Sequence, residues 1–242
     1  MINDYNLIRN EVRDFIHNNP TPNEQALEFF ETLKGNHIKS SGSYFTFFLK
    51  SDEWSMPFSF STKQSEIPKQ LGLINNQDYD IYMTPNSFLK PDRKSENIFN
   101  INALYVDIDC HDDNIKVTKE MLTEVTDMLT KHFNVTIPEP TMIVFSGRGM
   151  HLYWKIDSAP SQLADYWSGM ESNLLNKFSE ILNGTPFEAD ERVKDVSRVL
   201  RVPGSYNSKS KSFCTIYMNT RKCYRLSDIY YKYFSRKITT TL

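Results

Sequence analysis

The chain has 242 residues, and its 28 Lys and Arg against 30 Asp and Glu give a formal net charge of −2. The 39% hydrophobic content is typical of a globular protein, and the length allows one large domain or a core domain with a smaller companion. The net charge excludes a protein that coats nucleic acid through overall positive charge. No stretch approaches the ~18 apolar residues that cross a bilayer, so we expect no membrane partner. Three cysteines without zinc-type spacing indicate a reducing cytoplasm.

The first third of the chain predicts two helices and two strands. Residues Asn3 to His17 repeat apolar side chains at helical spacing, and Thr21-Pro22-Asn23-Glu24 is typical of a helix start, with a cap, a proline and a glutamate. The segments YFTFFL (44–49) and DIYM (80–83) are β-prone. We expect polar, proline-bearing loops between these two strands.

A hydrophilic connector, Lys90 to Asn97, suggests a boundary between two modules, residues 1–95 and residues 96–242, packed as one unit. The second module predicts further elements in this order: strand 103–109, helix 117–133, a tight hairpin of strands 141–145 and 151–156, helix 161–182, and strands 187–190 and 213–218. This order predicts an α+β fold on a mixed or antiparallel sheet, because strict strand–helix alternation is absent.

The strand predicted at residues 103–109 carries two acids. Alternate side chains of a strand share a face, so Asp107 and Asp109 point to the same side, about 7 Å apart. Such carboxylates repel each other unless a cation lies between them, and hard cations such as Mg²⁺ or Mn²⁺ prefer oxygen ligands. The pattern predicts a metal site; the alternative is an acidic pair on an edge strand that faces solvent.

The hairpin turn SGRGMH (146–151) predicts a phosphate-binding element. Its small residues would let an anion approach the backbone amides, and Arg148 and His151 add donors that phosphate oxygens accept. An ordinary glycine hairpin with an exposed arginine is the alternative, although it leaves His151 unexplained.

A third element begins at Asp190 and continues to Lys209. Asp190 could complete a metal site, and Arg198 and Arg201, predicted on one face of a helical turn, could meet phosphates. Surface salt bridges are the alternative for each residue taken singly. Nine basic residues fall between Arg192 and Arg225, which predicts either a nucleic-acid surface or a solvated face.

In this order the three elements resemble the archaeo-eukaryotic primase superfamily, most closely the primase-polymerase domains of plasmid, phage and other mobile-element replication proteins. That family carries a DxD on a strand, a Ser-x-His-like hairpin element and a hydrophobic-Asp element, followed in the mobile-element branch by a stretch like SRVLRVPGSxNxK. The resemblance covers about residues 100 to 220. Its departures are a wider serine-to-histidine spacing than the shortest family form and two candidates for the third acid, Asp190, which we favour, and Asp195.

The resemblance implies an RRM-like catalytic sheet in residues 96–242 beside an N-terminal helical and α+β module, and template-directed nucleotidyl transfer on DNA. Its implied catalytic residues are Asp107, Asp109, Asp190 and His151, with the three acids holding two Mg²⁺ or Mn²⁺ ions. Its implied nucleotide-binding residues are Ser146, Arg148, His151, Arg198, Arg201 and Lys209, and the candidate DNA-binding residues are Lys209, Lys211, Arg221 and Lys222.

The expected partners are a single-stranded DNA template and nucleoside triphosphates, with a helicase or a helix-rich accessory domain as a further partner. The chain has no Walker A motif, so we expect no helicase or ATPase engine within it. Two other functions remain open: a non-catalytic replication initiator or DNA-binding module of the same fold, and a metal-dependent nuclease that uses the same acids. A rolling-circle HUH nuclease would need an HxH motif, which the sequence lacks.

Overall fold

The computed structural model describes residues 21–34, 43–61 and 77–235, and the helix predicted over Asn3 to His17 lies outside these ranges. Within them the helices are α1 (Pro22–Lys34), α2 (Lys119–Thr130), α3 (Ala164–Leu182) and the short α4 (Leu226–Ile229), which continues into a π-helical turn at Tyr230–Phe234. Single 3₁₀ turns occur at Ser95–Asn97, Ser161–Leu163 and Glu191–Lys194. No helix of the described ranges is long and apolar enough to cross a bilayer.

The strands of the described ranges are numbered in chain order. They are β1 (Tyr44–Lys50), β2 (Ser55–Ser61), β3 (Asp80–Met83), β4 (Ser87–Phe88), β5 (Ile98–Cys110), β6 (Met142–Phe145), β7 (Gly149–Pro160), β8 (Phe187–Ala189), β9 (Leu200–Arg201), β10 (Tyr206–Asn207), β11 (Ser212–Phe213) and β12 (Thr215–Asn219).

Ten of these described strands form one sheet in the order β12-β6-β7-β5-β4-β1-β3-β9, with β2 added to β1 and β8 added to β5. Each pairing recorded in it is antiparallel, which confirms the predicted α+β class. The short strand β4 pairs with both β1 and β5, so strands from either side of residue 95 belong to the same sheet. The division into two modules at residue 95 stays a prediction.

Helix α1 begins with a reciprocal cap and closes one side of the sheet. The Thr21 hydroxyl accepts from the Glu24 amide while the Glu24 carboxylate accepts from the Thr21 amide, as the sequence predicts. The turn at Gly204 docks against this helix start so closely that a Cβ there would lie 2.0 Å from the Pro22 carbonyl oxygen. With φ at +86°, this position requires glycine.

The central strand β5 has a gap in its main-chain pairing between β4 and β8, and side chains fill it. The Asn86 side-chain oxygen accepts from the Asn102 amide, and Glu171 of α3 accepts from the Tyr105 amide at 2.7 Å. The Trp167 indole donates to the Ala103 carbonyl at 2.8 Å. Helix α3 therefore fixes the strand that carries the predicted acids.

Two local predictions were wrong. Residues 55–61 were expected in a loop, but they form β2, which pairs with β1 along its whole length. Pro57 is unfavourable in most strands, so the sequence of this segment did not predict one. The proline is tolerated because, among the described strands, β2 pairs on one side only. The helical turn predicted to carry both Arg198 and Arg201 does not reach Arg201. Leu200–Arg201 is an extended strand, β9, that pairs with β3. The β-branched and apolar residues around Arg201 suit a strand once a partner is present.

Candidate active site

A cleft of about 520 Å³ opens where the β1–β3 part of the sheet faces β5, β7 and the segment from Asp190 to Lys209. The nucleotide-binding and acidic residues predicted from the sequence all line it: Asp107, Asp109, Ser146, Arg148, His151, Asp190, Arg198, Arg201 and Lys209. The cleft also includes residues that we did not predict as site residues, among them Lys50, Asp80, Tyr82, Arg192 and Asn207.

The two acids of β5 lie in the centre of the sheet. In the register with β7, Asp107 lies opposite His151 and Asp109 lies opposite Gly149. A Cβ at Gly149 would approach the Ile108 carbonyl oxygen to 1.8 Å and an Asp109 carboxylate oxygen to 2.7 Å, so glycine is needed to leave room for this carboxylate. Because β5 is a central strand, the alternative of a solvent-facing edge pair is wrong.

Burial and nearby negative charges raise the pKa values of both acids. Burial raises the pKa of Asp107 well above its usual value, and the nearby charges of Asp109 and Asp190 add to this. Burial also raises the pKa of Asp109, with a further contribution from Asp190. Oδ1 of Asp107 is buried without a hydrogen bond; Nε2 of His151 lies 3.4 Å away but not in hydrogen-bonding geometry. An unpartnered carboxylate oxygen beside a second acid is a donor set that fits a divalent cation.

Asp190 is attached to the same strand, because its amide donates to the Asp107 carbonyl at 2.8 Å. Its carboxylate binds Arg192 Nε at 2.9 Å and Arg198 Nη2 at 3.0 Å. Burial would raise the pKa of Asp190, but the hydrogen bonds from Arg192 and the charge of Arg198 outweigh it and hold the pKa below its usual value. Within the described ranges, no three His, Cys, Asp or Glu side chains are grouped closely enough to hold a metal ion.

Asp195, the other candidate for the third acid, has a different environment. It is not among the residues that line the cleft, and its Oδ1 accepts from the Ser197 amide at 2.9 Å and the Ser197 hydroxyl at 2.8 Å. Its carbonyl accepts from the Tyr105 hydroxyl. The arrangement is a capped turn that anchors the segment to β5.

His151 is buried between the acids and the core. Burial lowers its pKa to about 3, and the charges of Arg201 and Arg198 act in the same direction, so the imidazole is neutral. The Tyr153 hydroxyl lies 3.3 Å from Nδ1, which orients the ring. A neutral ring in this position has one N–H to donate and one nitrogen to accept.

The SGRGMH turn packs against the β10–β11 hairpin, and Asn207 joins the two. Its Nδ2 donates to the Ser146 carbonyl at 2.7 Å, and its Oδ1 accepts from the Lys209 amide at 3.1 Å. Gly147, with φ at +109°, would carry a Cβ only 2.3 Å from the Ser210 hydroxyl. Two elements far apart in sequence therefore form one side of the cleft, and Asn207 is a residue of this cleft that was not predicted as a site residue.

Arg148 extends from the same turn and is held at both ends of its guanidinium. Nη1 binds Asp113 at 2.6 Å, and Nη2 donates to the Cys110 carbonyl at 2.9 Å. The side chain is about a quarter exposed, so it lines the cleft while remaining accessible to solvent.

Arg201 is the most firmly held cation of the cleft. It binds Asp80 at 2.8 Å, donates to the Tyr82 hydroxyl at 2.8 Å and to the Tyr206 carbonyl at 3.0 Å, and lies 4.7 Å from the centre of the Tyr82 ring. Asp80 and Tyr82 were missed as site residues. The available signal was the alternation in DIYM, which directs both side chains to the same face of β3.

Arg198 is less completely bonded than Arg201. One terminal nitrogen binds Asp190, whereas its buried Nε has no hydrogen-bond partner among the described residues. A buried guanidinium donor without a partner is costly, and the remainder of the Arg198 side chain, which is 30% exposed, faces the cleft.

The four basic residues predicted to bind DNA do not lie together. Lys209 lines the cleft and Lys211 follows on the same hairpin, but Arg221 and Lys222 lie beyond the far end of β12, roughly 15 Å along the strand. Lys222 is also ion-paired with Glu139.

The fold matches that of the primase-polymerase AEP domain of cyanophage S-2L, with a TM-score of 0.58 and 14% identity over 86% of this chain and 96% of that domain. The chain has the archaeo-eukaryotic primase fold. Crystal structures of the primase RepB′ and of its catalytic domain in complex with initiator DNA align less closely, each with a TM-score of 0.44 and 16% identity over 81% of this chain, covering 58% and 87% of those chains.

A curated "Replication protein" of Clostridium perfringens is 36% identical over 156 residues, which are 64% of this primase-fold chain. The chain spans 36% of the length of that relative. No family model matches the sequence.

Proposed function

We propose that this chain is the catalytic part of a DNA primase or primase-polymerase, which joins nucleotides along a single-stranded DNA template during replication of a mobile element. The observation that carries the proposal is the arrangement of opposite charges in one cleft. Asp107 and Asp109 share one face of β5, Asp190 lines the same cleft, and a neutral histidine and a set of cations line it with them. The primase fold and the similarity to a replication protein support this function.

The cations would bind the triphosphate of the incoming nucleotide. Arg198 lines the cleft with its side chain 30% exposed, and Arg148 and Lys209 line it beside the SGRGMH turn. Arg201 is already bonded to Asp80, so its main role would be to hold the wall in shape. Positioning and charge compensation supply most of the acceleration in phosphoryl-type transfer, and these residues supply both.

Asp107 and Asp109 would hold the divalent cation, with Asp190 as the proposed third ligand. When bound, Mg²⁺ or Mn²⁺ would lower the pKa of the attacking 3′-hydroxyl and neutralise charge on the leaving pyrophosphate. His151 would donate one hydrogen bond to a phosphate oxygen, because its imidazole is neutral and buried beside Asp107.

A primer-synthesis assay tests the proposal. The protein is incubated with a 5′-labelled single-stranded oligonucleotide, labelled nucleoside triphosphates and Mg²⁺ or Mn²⁺, and we expect new short products or extended strands. The double variant Asp107→Asn with Asp109→Asn should yield none. Asp127→Asn, on the exposed face of α2, is the matched control and should act like wild type.

Other outcomes would overturn the proposal. Shortening of the 5′-labelled strand without synthesis would indicate a nuclease. Tight binding of the strand without product under either metal would indicate a non-catalytic initiator or DNA-binding module. Comparing ribonucleotides with deoxynucleotides in the same assay gives the sugar preference, and comparing the bare template with one that carries an annealed primer distinguishes priming from extension.

A further inference from the structure

The turn between β1 and β2 presents a tryptophan to solvent at the rim of the cleft. The Trp54 side chain is 43% exposed, and its ring lies 5.7 Å from that of Tyr79, tilted by 56°. Tyr79 in turn lines the cleft. A pair of aromatic rings, one open to solvent and one facing the site, is a surface on which a flat ligand can stack.

This turn is held in one conformation by its own hydrogen bonds. The Ser51 amide donates to the Trp54 carbonyl at 2.9 Å, and the Ser51 hydroxyl accepts from the Glu53 and Trp54 amides at 3.2 Å each. Trp54 is therefore presented by an ordered turn, which reduces the entropy lost when a ligand stacks on it.

The sheet surface between Trp54 and the cleft carries cations. Lys50 lies opposite Asp80 and Phe48 opposite Tyr82 in the β1–β3 register, so these side chains share the face that continues into the cleft. The Arg93 guanidinium lies 5.7 Å above the Phe48 ring on this face. Aromatic rings combined with flanking cations are what proteins use to bind single-stranded nucleic acid.

We propose that Trp54 and Tyr79 form a stacking platform for an unpaired base of the single-stranded template, with Lys50 beside the adjoining phosphate. This inference rests on the proposed function, because it assigns the template to the rim of the same cleft. Asp52 and Glu53 precede Trp54 and repel phosphate from the tip of the turn. The contact at the tip is therefore through the base, and the backbone follows Lys50 and Arg93.

Tryptophan fluorescence tests the platform without any catalysis. The chain has three tryptophans, and Trp154 and Trp167 are fully buried with their indole N–H groups bonded to carbonyls, so Trp54 is the residue whose emission a ligand can reach. We expect that titration with an oligothymidylate, with no nucleoside triphosphate or metal present, quenches the emission. Trp54→Phe should abolish the quenching while retaining most of the affinity, and Trp54→Ala should weaken binding about 5- to 100-fold.

The matched control is Tyr231→Ala, which removes a 72% exposed aromatic ring that lines a different groove, and it should bind the oligonucleotide like wild type. Melting temperatures of all variants establish that each is folded. If Trp54→Ala does not fold, the loss of quenching in Trp54→Phe still tests whether the oligonucleotide reaches Trp54. Binding of the oligonucleotide without quenching, and with unchanged affinity in Trp54→Ala, overturns the platform.

Quenching by a nucleoside triphosphate alone, lost in Trp54→Ala, also overturns it, because the platform would then hold the incoming base. Failure of the proposed function gives a different result. Stacking and the loss of affinity in Trp54→Ala would persist, but the wild-type protein would make no product in the synthesis assay. The two proposals therefore fail separately.

Discussion

The two walls of the cleft are built by different kinds of contact. On the β5 wall, main-chain pairing with β7 sets Asp107 opposite His151 and Asp109 opposite Gly149. These carboxylates gain few stabilising partners of their own, and burial raises the pKa of both. The backbone therefore holds together charges that would otherwise separate.

The β3 wall depends on side chains instead. Arg201 joins Asp80 and Tyr82 of β3 to the β10–β11 hairpin through its bond to Tyr206. Here opposite charges are paired, so the wall is electrostatically satisfied. Under the proposed function, the β5 wall would receive a ligand that supplies positive charge, whereas the β3 wall keeps its shape through its own ion pairs.

The largest expected effect comes from removing an acid of the β5 wall. Asp107→Asn should lower nucleotide incorporation at least about 10³-fold, because losing a ligand of the catalytic cation removes several kcal/mol of transition-state stabilisation. The free energy of unfolding should stay level or rise, since a buried carboxyl with a raised pKa is replaced by a neutral amide. Primer-synthesis kinetics and denaturant unfolding without metal check this. Robust synthesis by the variant would contradict it.

The second prediction concerns which of two acids, Asp190 or Asp195, is the third ligand of the cation. Asp190→Asn should eliminate metal-dependent synthesis, because its carboxylate lies in the cleft beside Asp107, and it should also lower the melting temperature, because it breaks the ion pairs with Arg192 and Arg198. Asp195→Ala should retain measurable synthesis but lose about 0.5 to 2 kcal/mol of stability, because it removes a cap from the Ser197 turn. Synthesis rates and calorimetry of both variants test this. Synthesis retained by Asp190→Asn and lost in Asp195→Ala would assign the third ligand to Asp195.

The third effect tests the β3 wall. Arg201→Met should cost about 3 to 5 kcal/mol of stability, because it leaves the Asp80 carboxylate buried without its partner. Burial would raise the pKa of Asp80, but the Arg201 and Ser208 bonds hold it below its usual value. The contribution of the pair is thus lost as pH falls through the folded-state pKa of Asp80, and the two proteins should converge in stability at acid pH.

Urea unfolding at neutral and acid pH measures this difference. Arg198→Met is the matched control, since Arg198 is more exposed and binds the carboxylate of Asp190, which keeps Arg192 as a second partner. Equal destabilisation by the two variants would contradict the view that Arg201 holds the wall.

Local sequence patterns predicted the β5 wall well but not the β3 wall. The acids, the glycine turn and His151 come from short motifs in which strand alternation and turn chemistry suffice. The partner of Arg201 is 121 residues away, and Asn207 reaches Ser146 across 61 residues. Such pairings depend on the order of strands in the sheet, which local patterns do not contain.

The same reason explains the errors in secondary structure. The segment around Arg201 was predicted to be a helical turn, but a partner strand was available in β3. Strand β2 was missed because Pro57 and its serines resemble a loop, whereas pairing with β1 supplies the missing stability.

A smaller effect is expected at His151. His151→Ala should lower catalytic efficiency about 10- to 100-fold. One oriented hydrogen bond to a phosphate contributes about 1.5 to 3 kcal/mol, and its loss has an effect of this size. Affinity for single-stranded DNA should change much less. Steady-state kinetics and strand binding measure the two quantities. A large drop in melting temperature with unchanged nucleotide kinetics would make His151 a core residue only.

The smallest effect concerns the split basic set. Lys209 and Lys211 lie on the hairpin at the cleft, whereas Arg221 and Lys222 lie beyond the far end of β12, where Lys222 already binds Glu139. Each phosphate contact on a single strand contributes about −0.7 to the slope of log affinity against log salt. Replacing the cleft pair with glutamine should therefore make this slope shallower by about 0.7 if Lys209 contacts only the triphosphate and by about 1.4 if both lysines contact the strand, and replacing the distant pair should leave the slope unchanged. Fluorescence anisotropy of a labelled oligonucleotide between about 50 and 200 mM salt measures both slopes. Equal changes in the two slopes would indicate that the bound DNA continues along β12. An affinity that does not depend on salt would indicate that the whole basic stretch is only a solvated face.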